Sequence, residues 1–93
     1  MSKETQPIEL LDMDIESILS FFIGLTSTKA LEYLSIPIKE GKETEKDLDK
    51  ARLSIDVTSF LADKLTPYME EEEQKQLKQV VSNLQFAFLR ESD

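Results

Sequence analysis

Residues 17–28, SILSFFIGLTST, carry no charged side chain, and this stretch limits the folds open to the chain more than any other. Read as a helix at about 100° per residue, Ile18, Leu19, Phe21, Phe22, Ile23 and Leu25 cover half the circumference or more. Ser17, Ser20, Gly24 and Ser27 line the remainder, at spacings of three and four. Small residues in such a row let another helix backbone come close. Gly24 costs about 1 kcal/mol of helix propensity relative to Ala, and a close contact is a physical reason to tolerate it. A helix that is apolar or small all round wants to be enclosed. Two companion helices in one chain of 93 residues cannot surround it. A second copy is therefore expected to supply the missing neighbours, with this helix at or near a two-fold axis.

Two further helices are predicted. The first helix runs over residues 14–35, capped by Asp14 and stopped ahead of Pro37. The second spans residues 45–65, where Thr44, Glu45, Lys46 and Asp47 resemble a capping box with Asp in place of Glu. Pro67 either stops that helix or opens the next from a Thr66 cap. The third spans residues 70–90, with four glutamates at its start and Arg90 near its end, the arrangement the helix dipole favours. Its Leu77, Val80, Val81, Leu84, Ala87 and Phe88 share one face. The second helix has two apolar edges, and two edges imply two packing partners. One holds Leu48, Ala51, Ile55 and Ala62; the other holds Leu53, Val57, Phe60 and Leu61. No segment alternates apolar and polar residues long enough for a strand.

The expected architecture is all-α, a three-helix bundle or a hairpin plus a helix, completed by homodimerisation. Residues 1–13 read as a flexible tail and residues 14–93 as one helical domain. The helix-packing and dimer face is assigned to Ile18, Ser20, Phe21, Phe22, Gly24, Leu25 and Ser27 of the first helix. Val57, Phe60 and Leu61 of the second complete it.

Composition narrows the function. The chain has neither Cys nor His, which removes disulfides, thiolate metal sites and the commonest general base. Net charge is −8, from 19 acidic and 11 basic residues, with no cationic patch. Nucleic acid and anionic membranes are therefore not expected partners. No export signal is visible and no uncharged run reaches the ~20 residues of a membrane span, so a cytoplasmic setting is expected.

Three groupings of polar residues resemble sites, and each has a simpler reading. Glu70, Glu71, Glu72 and Glu73 point in different directions on a helix, whereas a Ca²⁺ or Mg²⁺ site needs converging oxygens. Arg52 and Asp56, four residues apart, suit a surface ion pair. Ser20, Thr26, Ser27 and Thr28 precede Lys29, so a Ser–Lys pair is conceivable, but no nucleophile elbow accompanies it. No catalytic residue, cofactor or metal is assigned, and no enzymatic activity is expected.

Residues 22–37, FIGLTSTKALEYLSIP, resemble the opening of a bacterial family catalogued as domain of unknown function 1844. Ala30-Leu31, Leu34-Ser35 and Ile36-Pro37 stand where that family has Ala-Leu, Leu-Gly and Ile-Pro. Residues 51–56 resemble its alanine, basic residue and Ile-Asp pattern, and residues 70–77 its glutamate-rich helix start. The likeness covers residues 15–90. Ser35 replaces the usual glycine, the linker after it is shorter, and Thr66-Pro67-Tyr68-Met69 differs from the family turn. Gln85 stands where the family tends to have arginine, so an arginine pairing with the acid at Asp56 would be missing. The resemblance implies a fold and no activity.

Two readings of function remain from different starting points. One is a non-enzymatic protein-interaction or assembly module acting as a homodimer or on a protein partner. The other is an acidic regulator of a basic protein. Phe86, off the main stripe of the third helix, marks a possible second contact.

Overall fold

A computed structural model describes residues 7–36 and 46–92, and among these there are helices and turns but no strand. Asp14 starts the first long helix as the sequence implies. Its backbone is extended and its carboxylate accepts the Ser17 N–H at 2.9 Å. Ahead of it, within the segment read as a tail, residues Pro7–Leu11 form a short helix, α1. The long helix α2 covers Ile15–Tyr33.

The end of α2 lies two residues short of expectation, and Pro37, outside the described residues, is not needed to explain it. Ser35 adopts φ 65°, the left-handed conformation. Its N–H donates to the Glu32 carbonyl at 2.9 Å, and the Ile36 N–H donates to the Leu31 carbonyl at 3.0 Å. These two bonds form a Schellman cap, a position that favours glycine because a Cβ crowds the backbone there.

The helix α3 covers Leu48–Leu65, and its cap corrects the capping-box expectation. Asp47 itself is the cap, accepting the Lys50 N–H at 3.1 Å, so the helix begins three residues later than predicted. Thr44 and Glu45 lie outside the described residues. The Asp47 N–H donates to the Tyr33 carbonyl at 2.7 Å, tying the start of α3 to the end of α2. Pro67 sits in a 3-10 turn, Thr66–Tyr68. Of the two roles open to Pro67, it takes the first: α3 stops at Leu65, and the next helix is not opened by Thr66. The Gln74 side-chain amide donates to the Thr66 and Met69 carbonyls at 3.1 and 3.0 Å, which satisfies the turn. The helix α4 covers Glu71–Glu91. Its cap is Glu70, whose N–H donates to the Glu73 carboxylate at 3.2 Å.

The core has three layers. Ile23, Ala62, Leu65 and Leu77 form the first. Ala30, Ile55 and Leu84 form the second, and Leu34, Ala51 and Ala87 the third. Through these layers α2 and α4 run in one sense and α3 runs against both. α3 packs along α2 and along α4, while α2 and α4 meet only sparingly. Small side chains make the α2–α3 approach close: Ala30 and Ala51 are fully buried.

Thr58, also fully buried, is the one buried polar residue among those described. Its hydroxyl lies 2.6 Å from that of Thr26 and 2.8 Å from the Ser54 carbonyl. Each hydroxyl has one proton. The Thr26 hydroxyl also reaches the Ile23 carbonyl at 3.3 Å, so either threonine can donate to the other while a carbonyl takes the second proton. No buried side-chain polar atom lacks a partner among the described residues.

The principal extents are 42 × 40 × 20 Å. The short dimension is about two helix diameters, which leaves no room to enclose a helix on all sides.

Two substitutions test this account in urea unfolding. Ser35→Gly should raise stability by about 1 kcal/mol, because the left-handed conformation penalises a Cβ. Ala30→Leu should lower stability by about 1–3 kcal/mol, because the added atoms force α2 and α3 apart.

Candidate interaction face

One side of α2 is packed and the other is not. Leu19, Ile23, Thr26 and Ala30 lie against α3 and α4. Phe21, Phe22 and Leu25 are 46, 43 and 49 % exposed, and Ile18 is half-buried beside them. The rings of Phe21 and Phe22 lie 6.0 Å apart, centre to centre, at a tilt of 47°. The two phenylalanines and Ile18 form one wall of an apolar cleft of ≈ 440 Å³. Leu10, Leu11 and Met13, from α1 and the turn after it, form the other wall. The sequence hinted at this only through the apolar group at Ile8, Leu10 and Leu11, because a five-residue helix is too short to show a period.

Ser59, Asp63 and Thr66 of α3 face α4 across a shallow groove. Helical periodicity turns Leu53 and Phe60 to the side of α3 opposite the buried Ala51, Ile55 and Ala62, with Val57 next to them. Leu61 packs against the Ile23 layer, and Val57 is half-buried. Leu53 and Phe60 are 62 and 59 % exposed. Of the two apolar edges read from the sequence, only the Ala51, Ile55 and Ala62 edge is fully covered within the subunit. That edge meets both neighbouring helices, so a second edge is not needed to bind the second neighbour.

The small residues do not share the phenylalanine side. Ser20 and Gly24 are exposed, Ser27 is half-buried, and the three lie around the helix from Phe21 and Leu25. A Cβ added at Gly24 would meet nothing within 4 Å. The close helix approach expected at Gly24 is thus not made inside the subunit. The Ser27 hydroxyl donates instead to the Gly24 carbonyl at 3.0 Å.

Charges on α2 are held at its ends. The Ser17 backbone N–H holds the Asp14 carboxyl below the ordinary carboxylate range. Lys29 donates to Glu32 at 3.0 Å, and that bond together with the Glu32 charge raises the Lys29 pKa. Its ammonium also lies 4.9 Å from the Tyr33 ring centre. A lysine that activates a serine must give up its proton. The Lys29 ammonium is turned to Glu32 and the Ser27 hydroxyl to the Gly24 carbonyl, so these two do not form the Ser–Lys pair conceivable from the sequence.

A second groove, ≈ 250 Å³, runs between α3 and α4 past Arg52, Asp56, Gln85, Phe88 and Leu89. The Arg52–Asp56 ion pair expected from the sequence is not formed. The Arg52 guanidinium lies 5.8 Å from the Phe88 ring centre instead. Gln85 and Asp56 do share this groove, which fits the position the resemblance gives them. Phe86 is 73 % exposed on the outer side of α4. Glu70 and Glu73 form the cap of α4, and no cluster of three potential metal ligands occurs among the described residues.

These features define an all-helical protein whose long helices share a thin core and whose α2 keeps an apolar outer face. The chain belongs to the family described as Domain of unknown function (DUF1844), which residues 19–90 match, as the resemblance implied. No curated protein and no solved structure shows a significant match to the chain. No helix among the described residues is long and apolar enough to cross a membrane.

Gly24→Ala separates the two faces of α2. The site has open space, so the substitution should stabilise the subunit by about 0.5–1 kcal/mol through helix propensity. Thermal unfolding followed by circular dichroism reads this shift.

Proposed function

We propose that this protein is a non-enzymatic assembly module that pairs with a second copy of itself through the outer face of α2 and the exposed edge of α3. The observation that carries the reading is the exposure of Phe21, Phe22 and Leu25 together on the outer side of α2, with Leu53 and Phe60 exposed on the outer side of α3. Isolated exposed apolar residues are ordinary, whereas a contiguous group of large ones marks a contact surface. Full burial of such a side chain is worth about 1.5–3 kcal/mol, and covering the half that remains exposed gains about half of that, so several residues acting together are needed to offset the cost of association.

The local charge favours a second copy despite the net −8. Lys29 borders the apolar side of α2 and Lys64 that of α3, and the Lys64 ammonium lies 5.4 Å from the Phe60 ring centre. The acidic surface of one copy therefore has cations to meet on the other. A cytoplasmic setting belongs to the same reading and rests on the absence of Cys.

The alternative is an acidic regulator of a basic protein. It is favoured by one observation: residues 7–28 contain no Lys or Arg, while Glu9, Asp12, Asp14 and Glu16 alternate in sequence with the residues of α1 and the start of α2. Such binding would weaken steeply with salt, and pairing through apolar side chains would not.

Sedimentation equilibrium at roughly 10–100 μM, where contacts of micromolar strength are populated, should show a dimer. Leu25→Asp should weaken it at least tenfold without changing helix content. A wild-type chain that stays monomeric over this range overturns the assembly reading.

A further inference from the structure

Six residues on the outer side of α2 read alike from both ends, although the exposed pair Ile15 and Thr28 beside them does not. In order the six are Asp14, the capping residue, then half-buried Ile18, Phe21, Phe22, Leu25 and Lys29. The intervals are four, three, one, three and four residues. The chemistry mirrors as well: acid answers base, aliphatic answers aliphatic, phenylalanine answers phenylalanine. Spacings of three and four keep these residues on one side of a helix. That side is the one α3 and α4 leave uncovered.

A two-fold interface requires this kind of self-complementarity, because residue i meets j and j meets i. Resting on the assembly reading above, we propose that two copies pair through antiparallel α2 helices, with the axis between Phe21 and Phe22. In this register Ile18 meets Leu25 of the second copy, and Asp14 meets its Lys29.

Three features of the subunit agree with that register. Ile18 lines the α1–α2 cleft, so Leu25 of the second copy enters a cavity whose lining side chains are all apolar. Asp14 and Lys29 keep bonding capacity beyond their present partners: a carboxylate has two oxygens and an ammonium three donors. Antiparallel helices also oppose their dipoles favourably. A parallel pairing would set Asp14 against Asp14 and Lys29 against Lys29, and like charges so placed are costly. The exposed ion pairs add little affinity and select the register, while the apolar residues hold the copies together. Gly24 lies off this seam, so Gly24→Ala should leave the pairing constant unchanged.

The absence of Cys permits a direct test in the full chain. Ile18→Cys and Leu25→Cys are made separately, mixed and oxidised. The mixed 18–25 disulfide should form in large excess over 18–18 and 25–25. In the proposed register two copies of residue 18 stand about 10 Å apart along the axis, beyond the reach of a disulfide, for which Cα atoms lie roughly 4.4–6.8 Å apart. Independently, Lys29→Glu should weaken pairing several-fold, and mixing it with Asp14→Lys should recover most of the loss. Lys29 is remote from the helix cap, so its variant stays informative if Asp14→Lys frays the start of α2. A dimer that gives 18–18 and 25–25 disulfides, or none of the three, overturns the register and leaves the assembly reading standing. A monomeric wild type removes both.

Discussion

The fold depends on how closely α2 and α3 can approach. Each helix offers a fully buried alanine to the other, Ala30 of α2 beside Ile55 and Ala51 of α3 beside Leu34, and the threonines Thr26 and Thr58 meet between them. Interiors pack as densely as crystals, so small residues at a crossing translate directly into a short distance between helices. The threonine pair adds a condition on chemistry. The Thr58 hydroxyl is fully buried and would be costly without partners, which the Ser54 carbonyl and the Thr26 hydroxyl supply. The pair also gives α2 and α3 a mutual register that apolar contacts alone define less sharply. α4 is then laid onto α3 through Leu77, Leu84 and Ala87, and the loop ends are fastened by Asp47 to the Tyr33 carbonyl and by Lys46 to Glu91 at 3.2 Å.

That close pairing has a consequence on the opposite side of α2. The three long helices form a body about two helices thick, so the core can cover only one side of each. In α4 the uncovered side mixes Lys75, Gln79, Ser82 and Asn83 with exposed Val80, Phe86 and Leu89. In α2 it carries two phenylalanines and a leucine. The same helix thus satisfies its own subunit with one face and leaves an unsatisfied one outside. This asymmetry, rather than any pocket with polar groups, is where the molecule's chemistry points. The basic and acidic residues around that face decide which arrangement of neighbours it accepts.

Much of the fold was legible in the residue pattern. The three long helices, the Asp14 cap, the break before Thr66 and the core stripe of α4 all follow from 3.6-residue periodicity and from local capping rules. The shortfalls have identifiable causes. The α3 cap was placed at Thr44 because two cap-forming residues lie three apart, and a local rule cannot choose between Thr44 and Asp47. Tertiary contact chose Asp47, whose N–H reaches the Tyr33 carbonyl. Arg52 was assigned to Asp56 by spacing on one helix, but the neighbouring α4 offers it the face of Phe88. Gly24 was read as a contact point because small residues on a helix permit contact; permission alone does not say which side the neighbours take.

Residue pattern alone makes the chain helical, sets where its helices run, and gives α2 more apolar surface than a three-helix subunit can cover. These are consequences of local periodicity and composition, which each segment carries alone. Which apolar residues stay outside depends on how the helices pack together. Ile23 and Phe22 are neighbours of similar character, yet one is in the core and the other at the surface. The reason is geometric: the orientation of α2 about its axis is set by where Ala30 and Thr26 meet α3, and no segment of sequence contains that angle.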